Sequence, residues 1–242
     1  MASIGRRDAL FKIAGYSAGM AAFGMGGSLR ALPPTAIPAA PMRLSRILTR
    51  DLGEMASLSV ERRWTIRFAL QGRGIVLTGE QTFAKVTAPA NLTPIASIEE
   101  QRSTADMWPI LLSPSGTIVG AGRYTQEADV REAVRTAQSL ISASTQTAGS
   151  AASHAENLAQ MQRAAGGLID QLPPDLFFPH DEAPRTIRED VDLPGGLSGE
   201  LAVSYTATKA AGGWLQNAQR SVVTRIGSSS RRATETWEMA AI

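Results

Sequence analysis

Cysteine is absent from the 242 residues, and histidine occurs only as His154 and His180. The first absence excludes disulfides, a thiolate nucleophile, thiolate metal ligation and acylation on cysteine. The second leaves little for acid–base chemistry near neutral pH. His154-Ala155-Glu156 has no second histidine or spaced carboxylate pair on adjacent turns, so it reads as a solvated helix face. His180 stands in FFPHDEAP beside Asp181 and Glu182. Consecutive residues rarely converge on one ion, and no other cluster completes four ligands, so no metal or cofactor is expected. GGLSGE around Ser198 does not meet G-x-S-x-G, and the chain has no G-x-x-x-x-G-K-[ST]. Gly120-Ala121-Gly122 lacks the rest of a dinucleotide fingerprint. With no nucleophile motif and no phosphate cradle, a non-enzymatic role is expected.

What is present begins with IGRRDALFKIAGYSAGMAAFGMGG, Ile4 to Gly27. Two arginines precede a weakly apolar stretch of Ala, Gly and Met that falls short of the about 20 apolar residues a spanning helix needs. Arg6-Arg7-Asp8-Ala9-Leu10-Phe11-Lys12 resembles the twin-arginine export signal. Ala9 stands where a Phe is usual, and Lys12 falls one place late. The resemblance implies transit through the twin-arginine translocase and a periplasmic or otherwise exported location. Membrane contact would be confined to the N-terminal signal, anchored at the inner membrane if uncleaved. LRALPPTAIPAAPM, Leu29 to Met42, reads as an extended Pro/Ala linker, so 1–40 is assigned to signal and linker and 41–242 to one domain.

Charge excludes a further class. Residues 1–40 hold four of the 24 basic residues and one of the 22 acidic ones, which leaves 20 against 21. The pI near 9.3 therefore owes much to the N-terminus. A nearly neutral mature chain gives no basic face for phosphates, so nucleic acid is not expected as a partner.

The strongest periodicity is LSVERRWTIRFAL, Leu58 to Leu70, in which Leu58, Val60, Trp64, Ile66, Phe68 and Leu70 share one parity. That is a strand with one buried and one wet face. RLSRILTRDL before it and IVLTGEQTFAKVTA after the turn QGRG complete a meander. ANLTPIASIEEQRS predicts a short helix with Thr93 as cap and Pro94 in the first turn. MWPILLSPSGTIVGAG predicts a hairpin turning at Ser113–Gly116. Helical spacing of Val130, Val134, Ala137 and Ile141, then of Leu158, Ala165, Ile169 and Leu172, predicts a long helix or nearly continuous pair over 126–172. Gln171 to Gly196 reads as a Pro-rich surface loop, and LSGELAVSYTA, QRSVVTRIG and RRATETWEMA as three closing strands. The fold class is α+β: an antiparallel curved sheet or half-barrel of seven or eight strands with a long helical insertion packed on it.

Arg62 breaks its strand's pattern, lying on the buried parity between Val60 and Trp64. A buried guanidinium needs a carboxylate (Glu80, Glu200 or Glu235 on a neighbouring strand), trapped water or a ligand anion. Two readings follow. In the first, the protein is a non-catalytic exported binding or carrier protein for an apolar, lipid-like or amphiphilic ligand. Arg62 would meet the head group, and Trp64, Phe68, Phe83, Tyr205 and Trp237 would form the wall. In the second, it is a structural or assembly partner in the cell envelope that docks through its helical segment.

Overall fold

Period-two alternation builds most of the chain. The computed structural model describes residues 35–53, 56–119, 127–142, 151–193 and 197–242, all within the compact unit Pro33–Ile242. Among the described residues eight strands make one antiparallel sheet. They are β1 (Met42–Gly53), β2 (Ala56–Gln71), β3 (Gly74–Thr87), β4 (Ile110–Leu112), β5 (Arg185–Leu193), β6 (Leu197–Lys209), β7 (Leu215–Ile226) and β8 (Ser229–Ala241). Their order is β4-β3-β2-β1-β8-β7-β6-β5. The first and last strands β1 and β8 pair in the middle, with Arg46 opposite Trp237, and join two meanders into one sheet. β4 and β5 remain as edges, so the curved sheet is open. A bulge at Arg63/Trp64 in the β2–β3 ladder adds local bend and twist.

Among the described residues three α-helices accompany the sheet: α1 (Thr93–Gln101), α2 (Glu127–Ser142) and α3 (Ala151–Asp170). The architecture is α+β and mostly sheet. α2 opens with Glu127 and Asp129 in its first turn, where acidic side chains oppose the helix dipole. It buries Val130, Val134, Ala137 and Ile141, the stripe that the spacing predicts. α3 buries Leu158, Met161, Ala165 and Ile169. α2 and α3 pack on each other, so the helical region is a pair set side by side. The join between them, 143–150, lies outside the described residues.

The core occupies one face of the sheet in two clusters. Near β2, β3 and β4 it is built on Leu44, Trp64, Ile66, Leu77 and Trp237. Toward β5, β6 and β7, α2 and α3 cover Val191, Leu201, Val203, Val222 and Ile226.

Three expectations are corrected. Of the segment 171–196 read as a surface loop, the described part 171–193 is not one: Leu176 and Phe177 are fully buried, Phe178 nearly so, and Arg185–Leu193 is strand β5. Leu176, Phe177 and Phe178 pack into the core cluster built on Trp64, Ile66 and Leu77. β5 escapes detection because Thr186, Arg188, Asp190 and Asp192 line its wet parity, the charged pattern that protects an edge strand from intermolecular pairing. Thr93 does not cap α1: its hydroxyl donates to the Ala90 carbonyl, while Pro94 does lie in the first turn. The segment read as a linker is docked from Thr35 onward, with the Thr35 N–H donating to the Pro114 carbonyl and Ile37 packed on the core.

Candidate functional site

Four of the six expected ligand-binding residues converge, and what they make is packed core. Trp64 and Trp237 are 1% and 2% exposed and stack with centroids 6.3 Å apart. Phe68 lies edge-on to Phe178 at 5.6 Å and to Phe177 at 6.3 Å. Tyr205, also buried, has the Arg185 guanidinium 4.9 Å above its ring. Leu176, Phe177 and Phe178 fill the space in front of these rings. Phe83 is not with them. Its register partner is Arg63, on the opposite face of β2, and the Arg63 guanidinium covers its ring at 4.6 Å.

Arg62 is 4% exposed, and its partner is none of the three strand glutamates expected. It donates to Gln81 Oε1 (2.9 Å), to the Arg102 carbonyl (3.0 Å), to the Glu99 carbonyl (2.6 Å) and to Glu99 Oε1 (3.0 Å). Those carbonyls belong to the C-terminal end of α1, where a cation satisfies orphan acceptors and the negative end of the dipole. Trp64 Nε1–H donates to Thr104 Oγ1 at 2.8 Å, and Thr104 donates to Gln81 at 2.7 Å, so the same network fixes the chain after α1.

A second inward arginine repeats the arrangement. Arg220 is 3% exposed and donates to the carbonyls of Ile169 (2.5 Å) and Gln171 (2.8 Å) at the C-terminal end of α3. It also donates to Glu235 Oε2 at 2.6 and 2.9 Å. Glu235 is fully buried, and its other oxygen accepts from Arg46 Nε at 2.6 Å. Arg46 in turn lies 5.0 Å over the Trp237 ring. Parity carries the signal for this network: Arg220 falls between Ala218 and Val222, and Glu235 between Ala233 and Trp237, all inward positions.

Beyond this network the inner face opens into a groove. A cavity of about 570 Å³ lies between α3 and the strands β1, β7 and β8. None of the six residues read from the sequence lines it. Its walls are largely aliphatic, with Leu52, Ala159, Ala165, Ile169, Val222 and Ala233 among them. Its polar members include Gln162, which reaches across to the Asp51 carbonyl at 2.9 Å and ties α3 to β1. Its charged members among the described residues are Arg50, Arg163 and Arg231, with no carboxylate. Arg163 is paired with Glu156 at 2.8 Å, whereas Arg50 and Arg231 make no ion pair among the described residues. The Arg231 guanidinium rests against Gly53, whose φ of +87° suits glycine and where an added Cβ would come within 3.0 Å of Arg231 Nη2.

The histidine loop offers a different set of groups. Asp175 is fully buried and accepts from the His180 backbone N–H at 3.2 Å and from Arg185 Nη2 at 3.4 Å. The His180 ring stands 3.8 Å from Asp175 and 3.4 Å from Thr117 Oγ1. At 3.8 Å Asp175 makes no hydrogen bond to the imidazole, so what Asp175 holds is the loop backbone. The side chain of His154, in α3, and the arginines Arg6 and Arg7 lie outside the described residues. Among the described residues no group of His, Asp and Glu is placed to hold a metal, and no helix is long and apolar enough to cross a membrane. Comparison with protein-family models, with curated proteins and with solved structures found no match.

Proposed function

We propose that this chain is a non-catalytic binding or carrier protein for an apolar or amphiphilic ligand, exported through the twin-arginine route and active outside the cytoplasm. In this reading the open sheet works as a half-barrel. Its inner face is plugged at one end by Leu176–Phe178 and grooved at the other, beside α3. The observation that carries the reading is the groove: about 570 Å³ of aliphatic-walled space on the inner face, within the size range of small-ligand sites.

The ligand site moves with it, away from Trp64 and Trp237, whose rings are already in van der Waals contact with their own chain. Arg62 likewise spends its donors on α1. The docking alternative has less to draw on. The apolar stripe of α2, from Val130 to Ile141, is buried within the domain, and so is that of α3.

Native mass spectrometry of the protein purified from the envelope fraction of its own host tests the reading. A reproducible added mass that organic extraction removes is the expected result. A bare chain in every preparation, from an envelope fraction or any other, would overturn it.

A further inference from the structure

The groove is more specific than an apolar slot, and its charges point to one kind of ligand. Resting on the carrier reading above, we infer that it takes a single-chain anionic amphiphile, whose carboxylate or phosphate head is held between Arg50 and Arg231. The aliphatic tail lies along the glycine-lined wall of α3.

Three observations carry this. The first is charge. Arg50 and Arg231 are both half-buried on the inward parity of adjacent strands, and both line the cavity. Ala233 is the cross-strand partner of Arg50, and Arg231 lies two residues along β8, which makes the arginines diagonal neighbours about 7 to 8 Å apart at the backbone. Long side chains at that spacing can close on one anion, and guanidinium forks suit carboxylate and phosphate geometry. Two like charges brought together without a carboxylate among the groove's described residues repel each other, and a bound anion removes the repulsion. Glu235, the nearest inward acid on β8, is already engaged with Arg46 and Arg220.

The second observation is the helix wall. α3 carries Gly166-Gly167 close to its C-terminal end at Asp170, at the groove. Each glycine disfavours a helix by about 0.5 to 1 kcal/mol relative to alanine. Packing against the protein does not require them, because a Cβ at either position would meet nothing within 4 Å. What the pair leaves is open space on the groove side of the helix, wide enough for a methylene chain to lie against backbone.

The third is the shape of the wall itself. Leu52, Ala159, Ala165, Ile169 and Val222 present aliphatic surface and no aromatic ring, which suits a flexible alkyl chain better than a planar ligand.

The test is a calorimetric titration of the full-length chain with twelve-carbon probes that share a tail and differ in head. Dodecanoate and dodecyl phosphate should bind at least about ten-fold more tightly than dodecyl maltoside or dodecyltrimethylammonium. Acetate and inorganic phosphate, which have the head alone, should not bind measurably. Arg50→Gln and Arg231→Gln should each weaken the anionic probes by about ten-fold, the effect of losing one charge-assisted hydrogen bond, and leave dodecyl maltoside unchanged. Gly167→Leu should block every probe, while Gly167→Ala keeps binding and reports that the helix is intact.

Equal binding of anionic and neutral probes, unaffected by either Arg→Gln change, would overturn the head-group assignment and leave the carrier reading standing. Inorganic phosphate binding as tightly as dodecyl phosphate would replace the amphiphile with a free anion. Undiminished binding by Gly167→Leu would move the ligand out of the groove. Failure of the wild-type chain to bind any tailed probe would overturn both readings together.

Discussion

Replacing Glu235 by Gln removes one negative charge without changing side-chain volume, and the structure fixes what that should do. Glu235 is fully buried and takes donors from two arginines, Arg220 at 2.6 and 2.9 Å and Arg46 at 2.6 Å. The two arginines are not equally exposed to the loss. The Arg46 side chain is 26% exposed and lies over Trp237, so water and the ring can take up its charge. Arg220 is 3% exposed and cannot turn outward, because the same guanidinium holds the carbonyls of Ile169 and Gln171.

Breaking a buried pair by removing one member costs about 3 to 5 kcal/mol. The two carbonyl acceptors that remain to Arg220 place Glu235→Gln near the lower bound, about 3 kcal/mol. In a domain of this size that lowers Tm by roughly 6 to 12 °C. Arg46→Met should cost about 1 kcal/mol or less, as partly exposed pairs do. Arg220→Met combined with Glu235→Leu should recover at least half of the single-variant loss, because it leaves no confined unpaired guanidinium and Arg46 can reach water. Urea denaturation followed by tryptophan fluorescence reads all four proteins. A Glu235→Gln chain within about 1 kcal/mol of wild type, indistinguishable from Arg46→Met, would refute the view that Glu235 neutralises a confined guanidinium.

The other arginine and glycine positions give separate outcomes. Arg62→Met should release α1 while leaving the rest of the sheet protected. Hydrogen exchange over 93–104 should then rise by orders of magnitude, and unchanged protection there would mean that α1 is held by other contacts. Gly166→Ala should stabilise the chain by about 0.5 to 1 kcal/mol, since its Cβ meets open space; a lower urea midpoint would show a steric cost that the groove geometry does not contain. Arg6→Lys with Arg7→Lys should hold the protein in the cytoplasm, read by cell fractionation and blotting, because that route distinguishes the arginine pair from lysines. Continued export would remove the twin-arginine assignment.

Strand alternation makes much of the sheet legible in the sequence. The strand over Leu58 to Phe68 and the C-terminal hairpin are legible because their wet and buried faces differ in composition, whereas Leu70, on the same parity, lies exposed at the strand end. β5 is not legible, since Arg188, Asp190 and Asp192 make an edge strand resemble a solvated loop. Phe177 and Phe178 are legible as anchors of their Pro-rich segment, but the prolines around them mark irregular backbone and give no sign that Leu176 is buried with them. Parity marks Arg62 as buried and in need of a partner, yet that partner is a helix terminus 37 residues away, a contact that strand parity cannot supply.

The groove was legible only in part. Arg50 sits on the inward parity of β1, as Arg231 does on β8, and the sequence shows both. That they share a cavity with Gly166 and Gly167 depends on α3 crossing β1, β7 and β8, which no local pattern encodes. Trp64, Phe68, Tyr205 and Trp237 have the size and aromaticity that send side chains into a packed core, whereas Phe83 lies with Arg63 on the other face.

The most direct test of the central claim is photo-crosslinking of the full-length chain with a diazirine-bearing alkyl carboxylate, followed by peptide mapping. Adducts are expected on the groove segments, around 50–53 of β1, 159–169 of α3, 222–224 of β7 and 231–233 of β8. Labelling should be competed by dodecanoate and lost in Gly167→Leu. Adducts confined to the aromatic cluster around Trp64, Phe68 and Trp237, or spread evenly over the surface and indifferent to competition, would contradict it.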